Sequence, residues 1–121
     1  MKRIFFLILL VLLSGCSRAQ PTMAGSKWAE ALHAPDARVR KKAAFTLGNI
    51  GPSDKMVLPA LIGGLKDADA AVRREAILGL LKYGPGAREA IPELTEVQEK
   101  DRDTNVRAYA ARALDKLREG K

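Results

Sequence analysis

From residue 36 to residue 119, apolar residues return every three or four positions, the interval at which one face of an α-helix repeats. In DARVRKKAAFTLGNIGP, residues 36–52, Val39, Ala43, Thr46, Leu47 and Ile50 fall on one arc at 100° per residue. Lys41, Lys42, Gly48 and Asn49 fall on the other side. Asp36 can accept hydrogen bonds from the free N–H groups of a first helical turn, and Gly51-Pro52 supplies a terminator that cannot continue the helix. The stretch therefore predicts one helix of about four turns with one buried face. Arg40 is out of place on those terms: a cation in the first turn opposes the helix dipole, at a cost of up to about 1 kcal/mol unless an acid stands nearby.

The same order of residues comes back twice. DAAVRREAILGLLKYGP starts at Asp69 and DTNVRAYAARALDKLRE at Asp103, offsets of 33 and then 34 residues. The intervening segments repeat as well: MVLPALIGGLKD aligns with EAIPELTEVQEKD, with Pro59 over Pro92 and Leu61 over Leu94. GSKWAEALHAPD reads as a shortened first version, with Trp28 over Leu61 and Leu32 over Leu65. Each unit is thus an outer helix, a tight turn carrying Asp, an inner helix and a stop. Two helices in a period of this length predict an all-α fold, a short α-solenoid of about three helix pairs. Val39, Leu47, Val72, Leu80, Val106 and Leu114 are its expected core.

The repeated Asp-x-x-Val-Arg-x-x-Ala, present in full in all three copies, resembles HEAT repeats, in particular the short bacterial type related to phycobilin-lyase HEAT-like domains. The resemblance covers residues 25–119, with repeats at about 25–50, 54–83 and 87–119. It implies a ladder between neighbouring units built from Asp36, Arg40, Asp69, Arg73, Asp103 and Arg107, which would supply the acid that Arg40 needs. The first outer helix is short and lacks the proline, and the last copy reads KLREGK where the Gly-Pro stop would fall. Both departures sit where a solenoid ends. Arg112, Asp115, Lys116 and Arg118 make the last helix polar, which favours a capped monomer over a continuing stack.

The N-terminal pattern is of another kind. MKRIFFLILLVLLSGC has a basic head and an apolar run, Ile4–Leu13, too short to span a bilayer, so residues 1–15 are expected to be an export signal. LSGC resembles the bacterial lipobox, which implies that Cys16, the only cysteine, is lipidated and becomes the first residue. Two or more acyl chains anchor stably where one binds marginally. Residues 16–24 then form the lipidated cysteine and a linker. Ser17 in place of the aspartate of an inner-membrane retention signal points to the periplasmic face of the outer membrane, if the envelope has two membranes. Loss of Lys2 and Arg3 with the signal leaves 19 cations against 14 acids, a net +5. Export excludes nucleic acid as the partner that this charge would otherwise suggest.

Catalytic signals are sparse. His33 is the single histidine, and no phosphate loop, Ser/His/Asp set or Cys/His cluster is present. The paired aspartates of Asp67–Asp69 and Asp101–Asp103 carry no further ligands in sequence, so neither a metal nor another cofactor is expected. What remains is surface. The wheel points Lys41, Phe45 and Gly48, then Arg74, Leu78 and Leu81, then Ala108, Arg112 and Asp115 away from the core, flanked by Lys42, Lys82, Tyr109 and Lys116. Lys41, Phe45, Arg74, Leu78, Leu81 and Arg112 are the candidate contacts of a basic concave groove with an apolar strip. That surface suits an acidic or amphipathic protein segment, and makes the chain a binding module rather than an enzyme. The alternative, an enzyme or enzyme accessory, rests on the lyase-like resemblance alone.

Overall fold

Three aspartates start three parallel helices. In the computed structural model, which describes residues 22–120, Asp36, Asp69 and Asp103 each turn a carboxylate oxygen onto the free amides of the helix that follows. These inner helices are α2 (Ala37–Ile50), α4 (Ala70–Tyr83) and α6 (Thr104–Glu119). The outer helices are α1 (Thr22–Ala31), α3 (Val57–Gly64) and α5 (Ile91–Lys100), and no strand occurs among the described residues. Pro59 and Pro92 fall in the first turns of α3 and α5, where a missing N–H costs nothing. Gly51 and Gly84 end α2 and α4 at φ +66° and +86°, angles that favour glycine, and each leads through proline into a short 3₁₀ turn. The chain is an all-α solenoid of three helix pairs. The expected signal and Cys16 lie outside the described residues, and α1 begins at Thr22, inside the stretch expected as linker.

The inner helices pack side by side, α2 on α4 and α4 on α6, and each outer helix lies against its own inner partner. Leu47, Val57, Leu61, Leu65, Ile77, Leu80, Leu94, Val106 and Leu114 are almost fully removed from water. Burial of such side chains contributes roughly 1.5–3 kcal/mol each. The α2–α4 seam is closed by two glycines. A Cβ on Gly48 would lie 2.7 Å from the Gly79 Cα, and one on Gly79 would lie 2.8 Å from Leu61 Cδ2. Gly48 therefore belongs to the seam, buried, and not to the open face where the helical wheel sets it. Glycine inside a helix costs about 1 kcal/mol relative to alanine. Close backbone approach is what offsets that cost here.

Val39 also departs from expectation. It is 41% exposed, whereas Val72 and Val106, its equivalents, are at 0% and 1%. Val72 lies two turns before Gly79, on the face that α4 turns toward the preceding inner helix. Among the described residues no unit precedes the first, and the same face of α2 is left open to solvent.

The ladder uses other acids than the caps. Arg40 donates from Nε to Asp67 Oδ2 at 2.9 Å and from Nη2 to Asp67 Oδ1 at 3.2 Å. Arg73 meets Asp101 in the same fork, at 2.8 and 2.9 Å. Asp69 and Asp103 are occupied in capping, and Asp36 holds the amide and guanidinium of Arg38 at the surface. Each bridging acid also accepts the amide of the cap aspartate two residues on, 2.9 Å in both turns. The remaining guanidinium nitrogen turns back: Arg40 Nη1 donates to the carbonyls of Ala34 and Pro35, and Arg73 Nη1 to those of Asp67 and Ala68. Arg107 keeps this inward half, on the Asp101 carbonyl, and adds Thr104 Oγ1 at 3.2 Å. Among the described residues it has no carboxylate partner.

The first-turn cation is thereby reconciled with the dipole. Hydrogen bonds to Asp67 raise the Arg40 pKa against the smaller opposing effect of burial. Burial pushes the Asp101 carboxyl up, but the Arg73 guanidinium and the Asp103 amide together outweigh it and bring it below the usual carboxylate range. A further acid, Asp54, is 6% exposed and joins two outer helices: it accepts the Gly25 amide of α1 at 3.1 Å and the Met56 amide at the start of α3 at 2.9 Å.

Two outcomes follow from the seams. Gly48→Ala gains about 1 kcal/mol of helix propensity but drives a methyl into the Gly79 backbone, and overpacking of 1–3 kcal/mol wins; denaturant titration will show a net loss. Asp101→Asn leaves the buried Arg73 guanidinium without its counter-charge and lowers stability by about 3 kcal/mol at pH 7. Because the folded-state pKa of Asp101 is depressed, its contribution is complete above the ordinary carboxylate range and disappears as pH falls through the folded value. The melting temperature of the parent chain is expected to drop below about pH 4, and that of Asp101→Asn to drop less steeply.

Candidate functional site

The inner helices are covered on one side by the outer helices and on their flanks by one another, which leaves one long face free. Residues at equivalent positions of successive units come up on it in a row. Lys41 and Arg112 are exposed, Phe45 is 49% exposed, and Arg74, Leu78 and Leu81 are half-buried. Leu81 also packs against the core, so it forms part of the floor of the row. The structure thus brings the six residues singled out in sequence onto neighbouring turns of α2, α4 and α6.

The row is bridged between units at one point. Lys82 reaches from α4 to α2, its Nζ 4.5 Å from the centroid of the Phe45 ring and 3.0 Å from Asn49 Oδ1. At an exposed site such as this a cation over an aromatic face is worth about 0.5–1 kcal/mol. Lys82 is therefore a strut between units, and Phe45 presents only its other face and edge. Farther along, the Arg112 guanidinium lies 5.9 Å from the Tyr109 ring.

The electrostatics of the two sides differ. Ion pairs among the described residues join Arg38 to Asp36, Arg40 to Asp67 and Arg73 to Asp101, all at the turns. Among the described residues Lys41, Arg74, Arg112 and Lys116 have no carboxylate within salt-bridge distance. At the C-terminal ends of α4 and α6 the row opens into a cleft of about 440 Å³, bounded by Leu81, Pro85, Leu117 and the two cations Arg112 and Lys116. Periodicity gives no hint of this cleft, because Gly84 and Pro85 read as punctuation. Their second role, as one wall of a cavity, depends on where the next unit lies.

The outer side carries a groove of about 430 Å³ between α1 and α3, lined by Leu32, Met56, Pro59 and Gly63, with His33 and Asp67 at its edge. Asp67 is committed to Arg40. Among the described residues no group of three His, Cys, Asp or Glu side chains is placed to hold a metal ion. Nothing in this groove arranges a nucleophile beside a base.

Residues 25–119 match the family of HEAT repeats. No curated protein matches the chain.

Proposed function

Because the chain belongs to the HEAT-repeat family, whose members are commonly protein-interaction scaffolds, we propose that it is a non-catalytic docking module that holds an acidic or amphipathic segment of an envelope protein along its inner-helix row. One observation carries the reading. Lys41, Arg74 and Arg112 stand beside Phe45, Leu78 and Leu81 with no acid paired to them among the described residues, while Arg40 and Arg73 are engaged by Asp67 and Asp101. Apolar area at the centre with charge at the edge is the composition of a binding patch, and unpaired cations favour a partner of opposite sign. The inter-unit strut at Lys82 keeps the row preorganised, so little ordering entropy is lost on docking.

In the same reading the module is tethered by lipid on Cys16 and works at the envelope, at the periplasmic face of the outer membrane where two membranes exist. The support is the LSGC sequence at the end of the apolar run. Among the described residues no helix is long and apolar enough to cross a membrane.

Lys41→Glu combined with Arg74→Glu is expected to reduce crosslinked capture of the partner in native envelopes at least tenfold, with an unchanged melting temperature; undiminished capture would overturn the docking surface. Cys16→Ser is expected to block palmitate incorporation and move the protein from the detergent phase to the aqueous phase, and a chain that stays membrane-bound after this change is not anchored through Cys16.

A further inference from the structure

The cleft at the C-terminal ends of α4 and α6 has a chemistry of its own. Leu81, Pro85 and Leu117 make its walls apolar, Arg112 and Lys116 stand one turn apart on α6 at its rim, and no acidic side chain lines it. Its shape is fixed by the backbone. Gly84, at φ +86°, turns the chain out of α4, and its carbonyl accepts the Ala87 amide at 2.9 Å. Arg88, in the 3₁₀ turn that follows, donates from Nε to the Leu117 carbonyl at 3.2 Å and ties the α4 side of the cleft to α6.

Pro85 also changes the hydrogen bonding. The helical donor for the Leu81 carbonyl would be the amide of residue 85, and proline has none. The Gly84 amide goes to the Leu80 carbonyl. Helical carbonyls point toward the C-terminus, so the Leu81 acceptor faces the Gly84–Pro85 end of the cleft. One end therefore offers an acceptor, the middle is apolar, and the far rim carries two cations. A peptide residue whose N–H, apolar side chain and neighbouring carboxylate follow that order matches it group by group. About 440 Å³ is within the range of cavities that seat such groups, and an Arg–carboxylate fork is among the stronger hydrogen-bonded pairs.

We propose that this cleft is a carboxylate-gated seat for one apolar side chain of an acidic partner segment, with the side chain between Leu81 and Leu117 and the carboxylate on Arg112 and Lys116. The proposal rests on the reading of the inner-helix row as a docking surface and names the residue class that fixes the register of the partner on it. The carboxylate can come from a chain terminus or from an Asp or Glu side chain, since both present the same two oxygens.

Fluorescence anisotropy of labelled hexapeptides on the full chain in detergent micelles tests it. The probes are Ser-Glu-Glu-Ser-Leu-Phe with a free terminus, the same peptide as its amide, and the amide with both Glu replaced by Gln. Both carboxylate-bearing peptides, or the free-terminus peptide alone, are expected to bind at least tenfold more tightly than the third, and the pattern identifies the source. Lys116→Glu and Arg112→Gln, both on exposed positions, should each remove that advantage without moving the melting temperature. Equal binding of all three peptides, absence of binding, or indifference to Lys116→Glu overturns the proposal. If Lys41→Glu with Arg74→Glu weakens the hexapeptide as much as Lys116→Glu does, the seat is on the row, and the cleft assignment fails while the docking surface stands. If that pair abolishes partner capture but leaves the hexapeptide bound, both stand.

Discussion

The stack is held by one recurring contact, a guanidinium that grips its own turn with one nitrogen and the next unit's aspartate with the other two. Arg40 and Arg73 each place Nη1 on two carbonyls of the preceding turn and present Nε and Nη2 to Asp67 and Asp101. Neither half would suffice. A first-turn cation with no acid would work against the helix dipole, and a buried aspartate with no donors would be pushed toward protonation. Together they satisfy each other's charge at the seam while the leucines and alanines beneath exclude water. The aspartate then passes the constraint on, because it also holds the amide of the residue that caps the next inner helix. One contact thus sets the spacing of the units, the start of the following helix and the dryness of the joint.

That arrangement also divides the charges of the molecule. Arg40 and Arg73 are consumed internally, whereas Lys41, Arg74 and Arg112 on the free face of α2, α4 and α6 have no ion-pair partner among the described residues. Lys41, Arg74 and Arg112 stand on the side where Phe45, Leu78 and Leu81 come closest to solvent. The ladder and the glycine seam fix where the inner helices stand, and the row and its terminal cleft follow from that placement.

Much of this was legible in the sequence. Aspartate caps, Gly-Pro stops and a period of 33 to 34 residues define the helices, and the apolar arcs name most of the core. Three features were harder to read, for identifiable reasons. Two aspartates two residues apart, as in Asp67–Asp69, are equivalent on a one-dimensional reading, and only the geometry of the seam tells which one crosses it. A signal was present: units two and three carry the first aspartate, and unit one, with no Val-Arg copy of the repeat before it, carries Ala34 in its place. Val39 was read as core because periodicity reports which face is apolar, not whether a neighbour covers it. Gly48 went to the wrong side because a residue without a side chain has no polarity to report; its position inside a helix was the better clue.

Ala34 has one more consequence. The rung is directional, with arginine given forward and aspartate received from behind, so two copies laid end to end would bring the Arg107 of one molecule against a methyl group of the other. The carboxylate that completes each rung within the chain has no equivalent at position 34. A single small residue at the leading edge of the first described unit thus makes the two ends of the stack unlike, one carrying the arginine half of a rung and the other lacking its aspartate half.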